Sequence, residues 1–184
     1  MNCFENIEIV EKFLKRHKNY DGRVALILRS YLKKNAKVLN IGLNDGKDYE
    51  VLDTWYDTVA IESSQHLIDI YKKKNKNALI SNCDDVKLDL DKKFDCIFTN
   101  KFLNRMTLLE LKESLVNQAN LLEEGGKAFH FFCDGEGELL LGGVMLNLFT
   151  EADLKEIMPE TFEIVKVSKY LLDSRFSYMI LKKK

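Results

Sequence analysis

At 184 residues, with 46% hydrophobic and 31% charged side chains, the chain can bury one sizeable core but is short for two domains. Twenty-eight Lys plus Arg against 29 Asp plus Glu leave a formal charge of -1, so no overall field draws it to nucleic acid or an anionic membrane. Its longest uncharged apolar run, Leu139 to Thr150, falls short of the roughly 20 residues a bilayer span requires, and the charged N-terminus lacks a signal-peptide core. The expectation is a cytoplasmic protein. Of the four cysteines, Cys3, Cys83, Cys96 and Cys133, none forms a CxxC pair, and the last three sit in or beside apolar runs, as buried free thiols in a reducing compartment do.

Between Phe4 and Lys34 apolar residues recur at helical spacing, broken by HKNYDG at His17 to Gly22, which predicts two helices joined by a turn. The texture then changes to short apolar strands, AKVLNI, TVAI, ALI, FDCIFT and KAFHFF, ending near Ile41, Ile61, Ile80, Thr99 and Phe132. Near-continuous apolar runs belong to strands buried on both faces, as in a parallel sheet covered by helices. Helices are predicted over Asp48 to Trp55, Ser64 to Lys74 and Thr107 to Leu122. After Phe132 come an acidic, glycine-bearing loop, DGEGE, a helix EADLKEIM capped by Thr150, and two strand patterns, FEIVKVSKYLL and FSYMILKK. One proline and the lack of low-complexity sequence leave no linker, so one domain over residues 1–184 is expected.

The stretch from Val38 to Asp48, VLNIGLNDGKD, ends the first strand, where an open parallel sheet forms its ligand crevice. Glycine lets a ligand approach the backbone, and the next helix offers free N–H groups. Glu62 closes the second strand at the distance in sequence where an acid binds ribose hydroxyls. A nicotinamide loop, GxGxxG, would use Gly42, Asn44 and Lys47 and fails at two of them. An acid followed by GxGxG would read Asn40, Gly42, Asn44 and Gly46, keeping the outer glycines, and asparagine tolerates positive φ. A plain turn after a buried strand is the alternative.

Taken together, VLNIGLNDGKD, VAIESS, CDD, FDCIFTNKFLN and LLEEGGKAFHFF resemble, in order and spacing, the motifs of small single-domain class I S-adenosylmethionine-dependent methyltransferases. The resemblance covers roughly Lys37 to Phe132. It implies a doubly wound, Rossmann-like α/β fold whose seven-stranded sheet has the order 3-2-1-4-5-7-6, the last strand antiparallel, with helices on both faces. Residues 1–36 would then form an N-terminal helical lid, 37–133 the cofactor-binding core, and 134–184 a C-terminal helix and strand pair.

By position, the resemblance implies that Gly42, Leu43 and Gly46, with Asn40 and Asn44 beside them, line the methionine and ribose part of S-adenosyl-L-methionine. Glu62 would take the ribose diol, Ser63 would flank the adenine, and Asp84 and Asp85 would meet the adenine edge. Asn100 and Lys101 would face the methionine moiety and the methyl acceptor. In KNYDGR, Arg23 could pair with the cofactor carboxylate and Tyr20 could cover the sulfonium. The family's leading acid and middle glycine are replaced here by Asn40 and Asn44, and its paired histidines after the fourth strand by Asn104 and Arg105.

Methyl transfer is an in-line displacement that asks the protein mainly to align the acceptor and exclude water. His130, near the end of the fifth strand, is the candidate general base, with a buried core histidine as the alternative; His17 and His66 have no evident role. Asp134, Glu136 and Glu138 start like a calcium loop but lack its remaining ligands, so no metal is expected, and the lysines from Lys72 to Lys76 read as a solvated helix end. The expected partner is a small-molecule acceptor, with no nucleic acid and no membrane, for a monomer or homodimer. A cofactor-binding homologue without turnover and a nicotinamide oxidoreductase are the competing readings.

Overall fold

A computed structural model describes residues 6–84, 87–88, 90–141 and 144–184. The chain runs α1 (Ile7–His17), β1 (Lys37–Ile41), α2 (Lys47–Trp55), β2 (Asp57–Glu62), α3 (Gln65–Lys74), β3 (Ile80–Asn82), β4 (Phe94–Asn100), α4 (Leu108–Leu121) and β5 (Leu122–Cys133). It continues through β6 (Glu138–Leu141), β7 (Val144–Asn147), α5 (Glu151–Ile157), β8 (Phe162–Lys169) and β9 (Phe176–Lys183). Seven strands make one sheet in the order β3-β2-β1-β4-β5-β9-β8, while β6 and β7 pair separately. β1 to β5 are mutually parallel and β9 is antiparallel to both neighbours, β5 and β8. Numbering the strands of this sheet alone gives 3-2-1-4-5-7-6, the expected order.

Period-two alternation divides the apolar strands between two cores. Leu39, Ile41, Ile97, Ala128 and Phe132 face α4, meeting Leu111, Leu115 and Ala119. Val38, Cys96, Phe98, Phe129 and Phe131 face the other way, onto Val24, Ala25 and Leu28 and onto Leu52 of α2. Phe98 and Phe129 stack at 5.4 Å between centroids. Each fully buried Val, Leu, Ile or Phe among these stabilises the fold by about 1.5–3 kcal/mol. Thr107 and Thr150 start α4 and α5 with capping boxes closed by Glu110 and Asp153, so the Thr150 reading stands.

Three local expectations need correction. The second N-terminal helix is a six-residue 3-10 turn, Ala25–Ser30. Ala25 and Leu28, both buried, lie three apart, and three residues per turn put them on one face, so the sheet selects the tighter winding. The stretch after the acidic loop is not irregular up to Thr150, since β6 and β7 form a hairpin with Leu139 opposite Leu146 and Leu140 opposite Met145. Its outer face is apolar too, with Leu140 and Met145 exposed, so polar–apolar alternation never appears in the sequence. Cys83 is half-buried, whereas Cys96 and Cys133 are buried as expected; Cys3 lies outside the described residues. Among the described residues no helix is long and apolar enough to cross a membrane.

Asn104, fully buried in the short 3-10 turn after β4, pins the hairpin to the sheet. Its amide nitrogen donates to the carbonyls of Cys133 at 2.9 Å and Asn147 at 2.7 Å, and its oxygen accepts the Cys133 N–H at 2.8 Å. Asn104→Ala leaves all three backbone groups unpaired and is expected to lower stability by about 2–4 kcal/mol. A urea midpoint indistinguishable from that of the parent chain would show that the hairpin is held by its apolar contacts alone.

Candidate functional site

The order reversal between β2 and β4 on either side of β1 sends their loops apart above the sheet, and the site is built there. Gly42 (φ +80°), Asn44 (φ +54°) and Gly46 (φ +83°) are all left-handed, so the loop turns sharply into α2. A Cβ at Gly46 would meet the Tyr71 ring at 2.0 Å and one at Gly42 the Phe102 ring at 3.2 Å, so aromatic packing closes on both glycines. Asn44 cross-links two loops: its Nδ2 donates to the Asn100 carbonyl at 3.1 Å and its Oδ1 accepts from the Arg105 guanidinium.

Glu62 is fully buried beneath this loop. Its Oε2 accepts the Leu43 N–H at 2.9 Å and its Oε1 the Ser64 N–H at 3.0 Å, tying the turn after β1 to the start of α3. The Ser63 carbonyl accepts from Asn82, while Asp84 is exposed and caps the Lys87 N–H at 2.8 Å. Asp85 lies outside the described residues. Asn40 is buried on β1 with neither side-chain polar atom hydrogen-bonded among the described residues.

A second network joins three distant stretches. Tyr20 donates to Asp48 Oδ1 at 2.6 Å, and Asn100 Nδ2 donates to Asp48 Oδ2 at 2.7 Å and to the Tyr20 oxygen at 3.2 Å. Asn100 Oδ1 has no partner among the described residues. Burial pushes the Asp48 carboxyl up to about 6, against the lowering effect of its two donors. Burial and the neighbouring Asp48 charge together raise the Tyr20 phenol. Arg23 is exposed and engaged with Asp21 at 2.8 Å.

Above this network lies a cavity of about 460 Å³ including its mouth, bounded by Tyr20, Asn44, Asp45, Asn100, Lys101 and Arg105. Phe13 and His17 of α1 and Val144 and Leu146 of the hairpin roof it. Of the residues singled out in the sequence, Tyr20, Asn44, Asn100 and Lys101 border it, whereas Asn40, Gly42, Leu43, Gly46, Glu62 and Ser63 do not. Asp48 is absent from the residues singled out in the sequence; its signal was an acid in the first turn of the helix after Gly46. His17, which had no evident role, is part of the roof; its Nδ1 bonds the Phe13 carbonyl at 2.9 Å, and burial first, then the Lys101 and Arg105 charges, lower its pKa.

His130 lies elsewhere. Strand alternation turns it toward α4, fully buried, with Nδ1 2.9 Å from Thr99 Oγ1, and burial lowers its pKa to about 3. Neither it nor Thr99 borders the cavity, so the general-base role is not carried forward. Asp134 is held by Lys169 at 2.8 Å and by the Ser177 hydroxyl, leaving Glu136 and Glu138 as the exposed acids of that loop.

No family model matches the chain, and no curated protein matches it in sequence. Solved structures do match in three dimensions. S-adenosylmethionine-bound CalS10, an amino pentose methyltransferase from Micromonospora echinaspora involved in calicheamicin biosynthesis, superposes with a TM-score of 0.75 at 15% identity, over 92% of this chain and 94% of that one. An S-adenosylmethionine-dependent methyltransferase from Clostridium acetobutylicum gives 0.71 at 13% identity, over 94% and 91%. The CcbJ methyltransferase from Streptomyces caelestis gives 0.74 at 16%, over 89% of each chain. The fold is therefore the Rossmann-like fold of class I methyltransferases.

Asp48 makes stability depend on pH. Its folded-state pKa, about 6, stands above the ordinary carboxylate value of about 4, so the unfolded chain loses this proton first as pH rises. Its contribution to stability is greatest below pH ~4, falls between pH ~4 and ~6 and is level above that. Asp48→Asn is expected to abolish this fall in urea-denaturation series across the window; a variant with the parent's full slope would assign the slope to another group.

Proposed function

We propose that this chain binds S-adenosyl-L-methionine and transfers its methyl group to a small-molecule acceptor. The observation that carries the reading is the junction of β1 and β4, where Asn100, whose buried Oδ1 has no partner among the described residues, borders a cleft next to Lys101. The methyltransferase fold and the nature of its solved relatives support it. The residues fit the group at its amino-acid end: Asn100 Oδ1 and Asp45 suit an ammonium, and Arg105 suits a carboxylate, all three residues bordering one cleft. At the nucleoside end, Glu62 retains a free lone pair on each oxygen beyond its two backbone bonds, enough for a ribose diol once the Leu43 to Gly46 turn gives way.

When bound, the cofactor supplies a methyl group on positively charged sulfur. Tyr20 and Asn100, which border the cavity, hold the Asp48 carboxylate behind them, and the α1 and β6–β7 hairpin residues that border it would limit the access of water. Asn44, bridging to Asn100 and Arg105, joins the β1 and β4 loops beside the cavity. Arg23, paired with Asp21, borders a neighbouring cavity and not this one. A cofactor-binding homologue without turnover is the second reading, favoured by the burial of His130 away from the cavity, which leaves an amine acceptor without the expected base.

Titration calorimetry with S-adenosylhomocysteine is expected to show saturable binding, and none at millimolar ligand would sink both readings. Glu62→Gln is expected to weaken that binding about tenfold, a loss of about 1.4 kcal/mol. Unchanged affinity would remove Glu62 from the ribose site. Methylation of acceptors with labelled cofactor separates the two readings.

A further inference from the structure

A second cavity opens beside the first, and Tyr20, Asn100 and Lys101 border both. Apart from its open mouth it encloses about 250 Å³. Its walls are aromatic. Phe131, on β5, stands edge-on to Tyr170 with centroids 5.1 Å apart and stacks on Phe176 at 5.4 Å. Leu172, 67% exposed in the turn between β8 and β9, continues the apolar surface to the rim.

Lys101 carries the charge at the neck between the two cavities. Its backbone is left-handed (φ +56°) and its N–H donates to the Phe131 carbonyl at 2.6 Å, which fixes the side chain at the ends of β4 and β5. The ammonium lies 4.9 Å from the centre of the Phe176 ring and forms no ion pair among the described residues. Asp45 and Asp48 attract it from α2 and its preceding loop, Arg105 repels it, and the Cys133 thiol lies near. Asp173, the acid in the wall of this chamber, is bound by Arg175 at 2.6 Å. Asp173 lies within electrostatic range of Lys101, and Arg23, the other cation in the wall, is paired with Asp21. A half-buried ammonium facing an aromatic ring with no ion-pair partner among the described residues is costly, and an anion on a flat apolar body offsets that cost.

Resting on the methyltransferase reading, we propose that the acceptor is an aromatic hydroxyl compound, its ring held among Phe131, Tyr170 and Phe176 and its oxygen bound as the oxyanion by Lys101. The ammonium favours the ionised acceptor, so the reactive form is populated near neutral pH without a separate base. The acceptor's O–H proton leaves to solvent and its oxygen bonds to the methyl carbon. The carbon–sulfur bond breaks with its electron pair on sulfur, giving an aryl methyl ether and a neutral thioether. Negative and positive charge cancel in that step, which a water-poor cavity favours.

4-Nitrophenol, whose anion absorbs visible light, tests this without turnover, and nitrobenzene supplies the same ring without the ionisable oxygen. At a pH near the phenol's midpoint, binding to the parent chain is expected to raise the visible absorbance, the ionisation constant of bound probe increasing at least about threefold. Lys101→Met is expected to remove the rise and Lys101→Arg to keep most of it, with circular dichroism confirming that both variants fold. Tyr170→Leu is expected to weaken probe binding by about two- to tenfold. Absence of binding, equal affinity for nitrobenzene with no absorbance change, or a rise that survives Lys101→Met overturns the proposal.

Calorimetry with S-adenosylhomocysteine on the same samples distinguishes this failure from failure of the underlying reading. Homocysteine-nucleoside binding without nitrophenol binding overturns the aromatic acceptor alone. Loss of that binding in Lys101→Met with the probe unaffected assigns Lys101 to the cofactor carboxylate, and equally overturns the acceptor proposal. Nitrophenol binding with the Lys101 dependence, but no nucleoside binding, supports the aromatic anion pocket and sinks the methyltransferase reading.

Discussion

The buried carboxylate of Asp48 ties together three distant stretches of chain. Tyr20 comes from the segment after α1, Asp48 from the first turn of α2 and Asn100 from the end of β4, and their hydrogen bonds of 2.6 and 2.7 Å converge on one group. A carboxylate removed from water has to be solvated by such donors. That requirement brings the N-terminal segment down onto the sheet at the point where strand order reverses. The two cavities flank the resulting knot, one toward α1 and the hairpin, the other toward the β8–β9 turn.

The loop after β1 shows how a departure from a family pattern can be absorbed. Asn44 stands where a glycine is expected and takes the same left-handed backbone, which asparagine tolerates better than most residues. Its side chain then spans to Asn100 and Arg105, so the substitution adds a cross-link between the β1 and β4 loops. Asn40 is different. Its buried amide finds no partner among the described residues, on the sheet face it shares with Phe98, and nothing in the structure offsets that cost. Gly46 is required on local grounds alone, since the Tyr71 ring occupies the space a side chain would need.

Much of the framework was legible before any coordinates. The apolar runs around Val38, Ile61, Ile97 and Phe129 announced strands buried on two faces, and Thr107 and Thr150 marked helix starts through side chains that bond the backbone three residues on. Local chemistry of this kind acts over a few residues, so spacing reveals it. The β6–β7 hairpin escaped because both its faces carry apolar residues, one against α1 and one toward solvent. The 3-10 turn at Ala25–Ser30 escaped because three-residue and 3.6-residue periods cannot be told apart over six positions.

The sequence by itself determined the alternation of strands and helices, the parallel sheet and the sharp turn after β1, because hydrophobic periodicity and turn chemistry are written locally. Only the tertiary structure decided which side chains meet at that loop. One residue of strand register separates the two faces of a sheet, so His130 turned to the α4 side while Phe131, its neighbour, turned to the aromatic chamber. Asp48 became a buried hub and Lys101 a charge between two cavities through contacts with residues tens of positions away, and such encounters leave no pattern in the sequence for spacing to reveal.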